Sequence, residues 1–238
     1  MNEIVLSFGA GVQTTALAIL IAEGKVAADR VVFADTGAEK PETYWFMEQY
    51  TKPLLAKHGL QIETVVSRHG QLEDYCWKYR MIPSTIETKR WCSWKFKIDP
   101  INAHLKGVER ETIIGFSADE VGRATRRSDA LFPLIEQGMK VADCQDVIKA
   151  QGWPIPLKSS CFFCVFQGPI EWNWLKIHHP DLVARALVME ANYYDRRPET
   201  RHRVGLIWGK PLWKWVEGYQ MELEMPQEYS CWAGYCGR

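Results

Sequence analysis

The sequence predicts an α/β fold: a Rossmann-like parallel sheet with helices on both faces, followed by a helical and irregular C-terminal region that contains cysteines. Two observations indicate the sheet. Short apolar segments alternate with helical segments over residues 1–135, and they lack the polar–apolar alternation of a half-exposed strand. Each is followed by glycine or polar residues, at the position where ligands of such sheets bind.

The predicted strands and helices follow one another along the chain. Four strands are expected, at residues 4–6, 30–35, 61–66 and 111–115. Helices are expected at residues 12–23, 41–50, 141–151, 169–178 and 182–194, the first closed by Gly24 and the second begun by Pro41. The tail from residue 195 is rich in Arg, Gly, Trp and Pro and is expected to be irregular. We therefore divide the chain into an α/β domain, residues 1–135, and a helical and irregular region, residues 136–238, packed on it.

Composition limits the classes of partner. The chain carries 29 basic and 29 acidic side chains, so no net field draws it to nucleic acid or to a membrane. No apolar run reaches membrane-spanning length, and the first residues lack a basic region followed by a signal-like apolar run. We therefore expect a cytoplasmic protein without a membrane partner. Its seven cysteines then need an explanation other than a disulfide framework, because cytosolic thiols stay reduced.

A glycine-containing loop connects the first strand to the first helix. Glycines on such a turn expose backbone N–H groups, and the first helical turn adds unpaired N–H groups and the positive end of its dipole. This combination binds phosphate, and hydroxyl groups add donors. The spacing matches neither the P-loop nor the dinucleotide-binding pattern, so a phosphate site and a tight strand–helix turn stay open as two interpretations. The residues concerned are Ser7, Gly9, Gly11, Thr14 and Thr15.

Two further loops leave the carboxyl ends of predicted strands. Asp35 can accept hydrogen bonds from a ribose or position a metal such as Mg²⁺ near phosphates, and its alternative role is an Asx-turn before a helix. Gly115 begins a loop that contains Arg123, Arg126 and Arg127. These arginines form either surface ion pairs, which contribute little stability, or bidentate contacts to phosphate oxygens. Their position at a strand end favours phosphate.

The pair Cys161 and Cys164 has the Cys-x-x-Cys spacing of a metal site. Two thiolates at this spacing ligate zinc or an iron–sulfur cluster, or form a redox pair. The pair does not lie in a thioredoxin-like βαβ unit, so metal binding is favoured over redox exchange. Further thiolates that could complete a site of four are Cys76, Cys92, Cys144, Cys231 and Cys236.

Taken in order, these segments resemble the phosphoadenosine phosphosulfate (PAPS) reductase family of adenine-nucleotide alpha-hydrolases, in the PP-loop ATP pyrophosphatase superfamily, and especially its compact phage and prophage members. The resemblance covers roughly residues 4–175. It is carried by residues 7–16, Asp35-Thr36-Gly37 with Pro41-Glu42-Thr43, Arg90-Trp91-Cys92-Ser93 with Lys97-Ile98-Asp99-Pro100, Gly115–Arg123, and Lys158–Cys164 followed by Glu171-Trp172.

The resemblance implies that ATP or a related adenine nucleotide binds to the first domain and that chemistry occurs near its α-phosphate. It places phosphate on the glycine loop, the nucleotide beside Asp35, Thr36, Gly37 and Gly115, and developing negative charge beside Lys97 and Arg123. It also implies a 4Fe-4S cluster, with zinc as the alternative. The implied ligands are Cys92, Cys161 and Cys164, with Cys144 preferred as the fourth.

The chain also departs from the family pattern. Gln13 stands where the loop of the family has an aspartate, and Ser117 and Val121 replace an arginine and a serine of the sulfonucleotide-reducing enzymes. The missing arginine favours ATP-dependent adenylylation, as in sulfur transfer or nucleic-acid modification, over reductive cleavage of a sulfonucleotide. The missing loop aspartate supports a third hypothesis, a non-catalytic nucleotide- or nucleic-acid-binding module with structural zinc. An acceptor substrate, with nucleic acid among the candidates, and a homodimer are further expected partners.

Overall fold

The computed structural model describes residues 2–83, 90–125 and 129–218, and its centre is a five-stranded parallel sheet. The strands are β1 (Glu3–Phe8), β2 (Arg30–Asp35), β3 (Ile62–Val66), β4 (Arg110–Ile114) and β5 (Ala130–Leu131). Their order is β3-β2-β1-β4-β5, so the chain moves outward to one side of β1 and then crosses to the other. The carboxyl ends of β1 and β4 therefore form a topological switch point, where open α/β sheets bind ligands.

Helices connect the strands and continue beyond the sheet. The α-helices are α1 (Val12–Ala22), α2 (Pro41–Phe46), α3 (Lys52–Lys57), α4 (Leu72–Tyr79), α5 (Trp91–Ser93), α6 (Asp99–His104), α7 (Val121–Ala124), α8 (Pro133–Glu136), α9 (Val141–Ala150), α10 (Pro169–His178), α11 (Pro180–Arg196) and α12 (Leu212–Gly218). Two π-helical segments, Met47–Thr51 and Trp94–Ile98, join α2 to α3 and α5 to α6. Short 3-10 turns occupy Ala118–Glu120 and Pro198–Thr200.

Both faces of the sheet are covered. On one face, alternate residues of β1 and β2 such as Leu6 and Phe33 pack with α1, which is buried along its whole length and in turn contacts α9. On the other face, Val5 and Val32 pack with Leu105, the residue that follows α6. This two-sided burial explains why the strand segments are apolar without alternation.

A second apolar cluster lies outside the sheet. It joins α4, α10, α11 and the segment that contains Cys161 and Phe163 around Trp172, which is completely buried. Glu190 of α11 is also completely buried, and its carboxylate accepts hydrogen bonds from the backbone N–H groups of Leu206, Leu212 and Trp213. These bonds fix the chain after α11 to the cluster.

The predicted α/β class with a parallel sheet is confirmed, and the observed strands β1 to β4 overlap the four predicted ones. The prediction of an irregular tail from residue 195 is wrong at Leu212–Gly218, where α12 forms because Leu212 is buried against the second cluster. The helices at residues 72–79 and 91–104 were not predicted. Among the described residues, none of the helices is both long enough and apolar enough to span a membrane.

Candidate functional site

A cavity of about 460 Å³ opens at the carboxyl ends of β1 and β4. Its position is the switch point of the sheet, and its volume lies in the range of small-molecule sites. It is lined by Ser7, Gly9, Gly11, Gln13, Thr14, Arg90, Ser93, Lys97, Ile98, Ile114, Gly115, Phe116, Glu120, Arg123, Lys158, Ser159, Ser160, Cys164 and Phe166. Segments far apart in sequence therefore line a single cavity.

The glycine loop has the backbone of an anion-binding turn. Gly11 is extended and caps α1, and its N–H donates to the hydroxyl of Thr14 at 3.2 Å. The N–H groups in the first turn of α1 have no partner within the helix, and Gly9, Gly11 and Thr14 face the cavity. Ala10 adopts a left-handed conformation at φ 54°, which costs roughly 1–2 kcal/mol for a residue with a side chain. A loop held in this conformation at a cavity is typical of a functional site.

Gly115 closes against the same loop. A Cβ atom at this position would lie 2.6 Å from the Thr14 methyl carbon and 3.5 Å from the Cβ of Gln13. Only glycine leaves room for the first turn of α1 beside the end of β4. The two predicted nucleotide-binding segments are thus in direct contact.

Gln13 ties the glycine loop to the loop after β4. Its side-chain amide donates to Glu120 Oε2 at 3.1 Å, and the other carboxylate oxygen of Glu120 forms an ion pair with Arg123. The Arg123 guanidinium lies over the Phe116 ring, 4.4 Å from its centroid, and Phe116 stacks on Phe132. The loop lacks the family aspartate at position 13, and Glu120 supplies a carboxylate to the same cavity instead.

Basic side chains dominate the charge of the cavity lining. Four of the lining residues are basic and one, Glu120, is acidic. Each basic group is held in place: Lys97 by Glu39 at 2.9 Å, Lys158 by Glu171 at 2.7 Å, and Arg90 by the Phe166 ring at 4.6 Å from its centroid. Basic groups held in place beside a helix N-terminus suit a polyanionic ligand such as a nucleotide phosphate chain, although carboxylates pair with three of the four.

The Lys97–Glu39 pair joins the cavity to the buried interior. The Glu39 side chain is completely buried, and Lys97 exposes 39% of its side chain on the cavity side. Burial by itself would lower the pKa of Lys97, but the charges of Glu39, Cys161 and Cys164 outweigh burial and raise it. Lys97 is therefore held as a cation.

Lys40 anchors the segment in front of the Cys-x-x-Cys pair. Its ammonium group donates to Ser160 Oγ at 2.8 Å and to the backbone oxygen of Lys158 at 3.3 Å. The side chain is completely buried, and burial lowers its pKa. This contact fixes residues 158–160, which line the cavity together with the glycine loop and the loop after β4.

Several predicted site residues lie beside the cavity and do not line it. Asp35 accepts hydrogen bonds from the Gly37 N–H at 2.8 Å and from the Tyr44 hydroxyl at 2.6 Å, which is the Asx-turn alternative. Thr36 is buried, with its Oγ1 3.4 Å from Cys161 Sγ. Thr15 is completely buried, and its hydroxyl has no hydrogen-bond partner among the described residues.

The structure brings three of the four predicted cysteine ligands together. Cys92, Cys161 and Cys164 belong to the second apolar cluster, whereas Cys144, on α9, lies in the first. Burial raises the pKa of all four thiols, to about 12 for Cys144. Lys97 beside Cys161, and Lys158 and Lys40 beside Cys164, act in the opposite direction and favour the thiolates. Arg126, Arg127, Cys231 and Cys236 lie outside the described residues.

A single metal ion is not supported by the thiol geometry. Within the described ranges, no group of three His, Cys, Asp or Glu side chains converges closely enough to hold one ion. Zinc requires its sulfur ligands at about 2.3 Å from one point. An iron–sulfur cluster binds each thiolate to a different iron atom, so its ligands are spread around the cluster and need not converge.

Sequence reasoning missed several lining residues. Lys158, Ser159 and Ser160 line the cavity and directly precede the Cys-x-x-Cys pair, a position that is itself a usable signal. Arg90 and Glu120 also line it, within the segments that carry the family resemblance. No local pattern distinguishes Phe116 or Phe166 from core aromatic residues, because only the tertiary fold exposes their rings to the cavity.

Comparison with known families matches residues 3–149 to the phosphoadenosine phosphosulfate reductase domain. The match includes the glycine loop and the loop after β4, and it spans more than half of the chain. No curated protein gives a significant match. Enzymes of this family bind adenine nucleotide substrates, and the family fits within the PP-loop superfamily. The chain therefore belongs to the phosphoadenosine phosphosulfate reductase family.

Proposed function

We propose that this protein is an enzyme that binds ATP or a related adenine nucleotide in the cavity at the switch point and acts at its α-phosphate. The observation that carries the proposal is the convergence of the glycine loop, Gly115 and four basic side chains on one cavity. Phe116 and Phe166, which line the cavity, would supply apolar contact to a purine.

The favoured reaction is adenylylation. An oxygen of an acceptor attacks the α-phosphorus, the bond to the bridging oxygen of the β-phosphate breaks, and pyrophosphate leaves. In this scheme Arg123 and Lys97 stabilise charge that develops on the phosphoryl oxygens, because fixed cations cost no reorganisation in the transition state. Glu120, held between Gln13 and Arg123, is a candidate to position Mg²⁺. The acceptor belongs to sulfur transfer or nucleic-acid modification.

An iron–sulfur cluster is part of the proposal. Cys92, Cys161 and Cys164 would hold it, and the donor set fits because the three thiols share one apolar cluster and the charges of nearby lysines favour the thiolate form of Cys161 and Cys164. When bound, such a cluster supplies electron transfer, sulfur handling or structural support. Because Cys164 also lines the cavity, the cluster would sit against the nucleotide site.

Reductive cleavage of a sulfonucleotide is the second candidate. A specific observation favours it, since Cys164, a proposed cluster ligand, lines the same cavity as the basic side chains and would bring the cluster beside the nucleotide. In this reaction two thiols of the reductant are oxidised to a disulfide, and sulfite and an adenosine bisphosphate are released, whereas adenylylation requires ATP and releases pyrophosphate.

Product analysis with two nucleotides tests both candidates. Anaerobically purified protein is incubated with ATP, or with phosphoadenosine phosphosulfate and a thiol donor, and nucleotide-induced thermal shifts are measured in parallel. We expect stabilisation by nucleotide and pyrophosphate release from ATP. Arg123→Gln should reduce the nucleotide-induced shift, and Arg110→Gln, at the opposite end of β4, should retain it. Absence of any shift with either nucleotide would contradict the proposal and favour the non-catalytic module.

A further inference from the structure

A fourth thiol lies with the three proposed cluster ligands. Cys76 of α4 is completely buried in the second apolar cluster, where Cys161 is also buried and Cys92 and Cys164 pack against the edge. The four cysteines come from three distant segments: α4, α5 and the loop before α10. All four are free thiols.

Backbone contacts fix α4 beside the Cys-x-x-Cys loop. The N–H of Leu72, the first residue of α4, donates to the backbone oxygen of Thr36 at 2.9 Å. The hydroxyl of the same Thr36 lies 3.4 Å from Cys161 Sγ. Gly37 allows this approach, because a Cβ there would lie 2.7 Å from the Gln71 side chain that precedes α4. One residue of the β2–α2 loop thus contacts both α4 and a proposed ligand.

The four thiols also influence one another electrostatically. Burial is the largest cause that raises the pKa of Cys76, and the Cys92 and Cys161 thiols follow it, ahead of Glu73. Cys164 likewise acts on Cys161, and Cys92 acts on Cys164. Cys76, Cys161 and Cys164 thus each have another of these cysteines among the groups that act on them.

The thiol preferred from the sequence does not share this environment. Cys144 is packed in the other apolar cluster, and the charges that act on it are those of Asp143, Asp119 and Glu120. No thiol of the described residues is among them.

We infer that Cys76 is the fourth thiolate of the iron–sulfur site, beside Cys92, Cys161 and Cys164. The inference rests on the proposed function for the presence of a cluster. It replaces Cys144 as the fourth ligand and makes the cluster fully ligated by protein, with no iron position open to substrate or solvent.

Cluster analysis of two matched variants tests the inference. Cys76 and Cys144 are both completely buried, so Cys76→Ala and Cys144→Ala remove equivalent thiols. Wild-type protein and both variants are purified anaerobically, reconstituted with iron and sulfide, and assayed for iron, acid-labile sulfide, visible absorption and electron paramagnetic resonance. The wild type and Cys144→Ala should hold about four irons per chain, as a 4Fe-4S cluster requires. Cys76→Ala should lose the cluster or retain a three-iron form with a different resonance spectrum.

Two further measurements keep the outcomes distinct. Cys76→Ser, which preserves size and a weak ligand, is read in the same way if circular dichroism shows that Cys76→Ala does not fold. Mössbauer spectroscopy of the wild type should show four sulfur-ligated irons and no distinct oxygen-ligated iron. A distinct iron site, or equal iron content and spectra in wild type and Cys76→Ala, would overturn the inference. The proposed function would still stand in that case if nucleotide raises the melting temperature of the wild type. Wild type that holds no iron overturns the inference and the cofactor together.

Discussion

Removing the Lys97 ammonium should destabilise the protein through the carboxylate that it leaves behind. The Glu39 side chain is completely buried, one of its oxygens has no hydrogen-bond partner among the described residues, and the other accepts from Lys97 at 2.9 Å. At this separation the attraction is about 6 kcal/mol for an effective dielectric constant of about 20. Much of it offsets the desolvation of the two charges.

The net effect is therefore smaller than the attraction. Loss of one partner from a fully buried pair costs about 3–5 kcal/mol, because the other charge stays buried and unpaired. Lys97 exposes 39% of its side chain, so water reaches part of the pair, and we expect about 2–3 kcal/mol for Lys97→Met. Glu39→Gln in the same chain should recover most of this loss, because the buried group is then neutral.

Urea unfolding followed by tryptophan fluorescence measures the four corners of this double-mutant cycle. Glu48 and Lys52 form an exposed i,i+4 pair, and the matched cycle there should give a coupling energy of only about 0.3–0.5 kcal/mol. A Lys97–Glu39 coupling energy as small as that would refute the reasoning. The stable double variant also isolates the function of Lys97: it should fold well and still show a reduced ATP-induced thermal shift. A full shift would mean that Lys97 is only structural.

Two other predictions concern the site wall and the outer edge of the sheet. Gly115→Ala should weaken nucleotide binding about tenfold or more, because its Cβ displaces Thr14 at an overpacking cost of about 1–3 kcal/mol. The control Gly122→Ala, whose Cβ meets open space, should leave the nucleotide affinity unchanged, and titration calorimetry compares the two variants. The hydrogen bond from Arg30 lowers the pKa of Glu63 from 4.5 to about 2, so its stabilisation is present above pH 4.5 and is lost as the pH falls towards 2. Glu63→Gln should reduce this pH dependence by about 1 kcal/mol, because the Glu63 side chain is 30% exposed. Urea unfolding at pH 6 and pH 3 measures it, and an equal change in the free energy of unfolding for wild type and variant would contradict the prediction.

The elements that sequence reasoning predicted well are those with a local cause. The strand Arg30–Asp35 and the helix begun by Val12 follow from short apolar runs and from glycine or proline at their ends. The π-helical segment Trp94–Ile98 and the helix α4 were missed, although Leu72 and Cys76 of α4 recur at helical spacing, and both elements are stabilised by packing against the second cluster. Tertiary packing overrides weak local preference in such segments.

The class of fold, the glycine loop at the end of β1 and the Cys-x-x-Cys pair follow from the sequence alone, because each depends on neighbouring residues. Which distant groups meet depends on the tertiary structure. It separates Cys144 from the other thiols and places Cys76 among them. It also shows that the Asp35 carboxylate forms an Asx-turn beside the cavity. These contacts join different segments of the chain, such as Lys97 with Glu39 and Cys92 with Cys161, and packing of the apolar clusters sets their distances because no local pattern can.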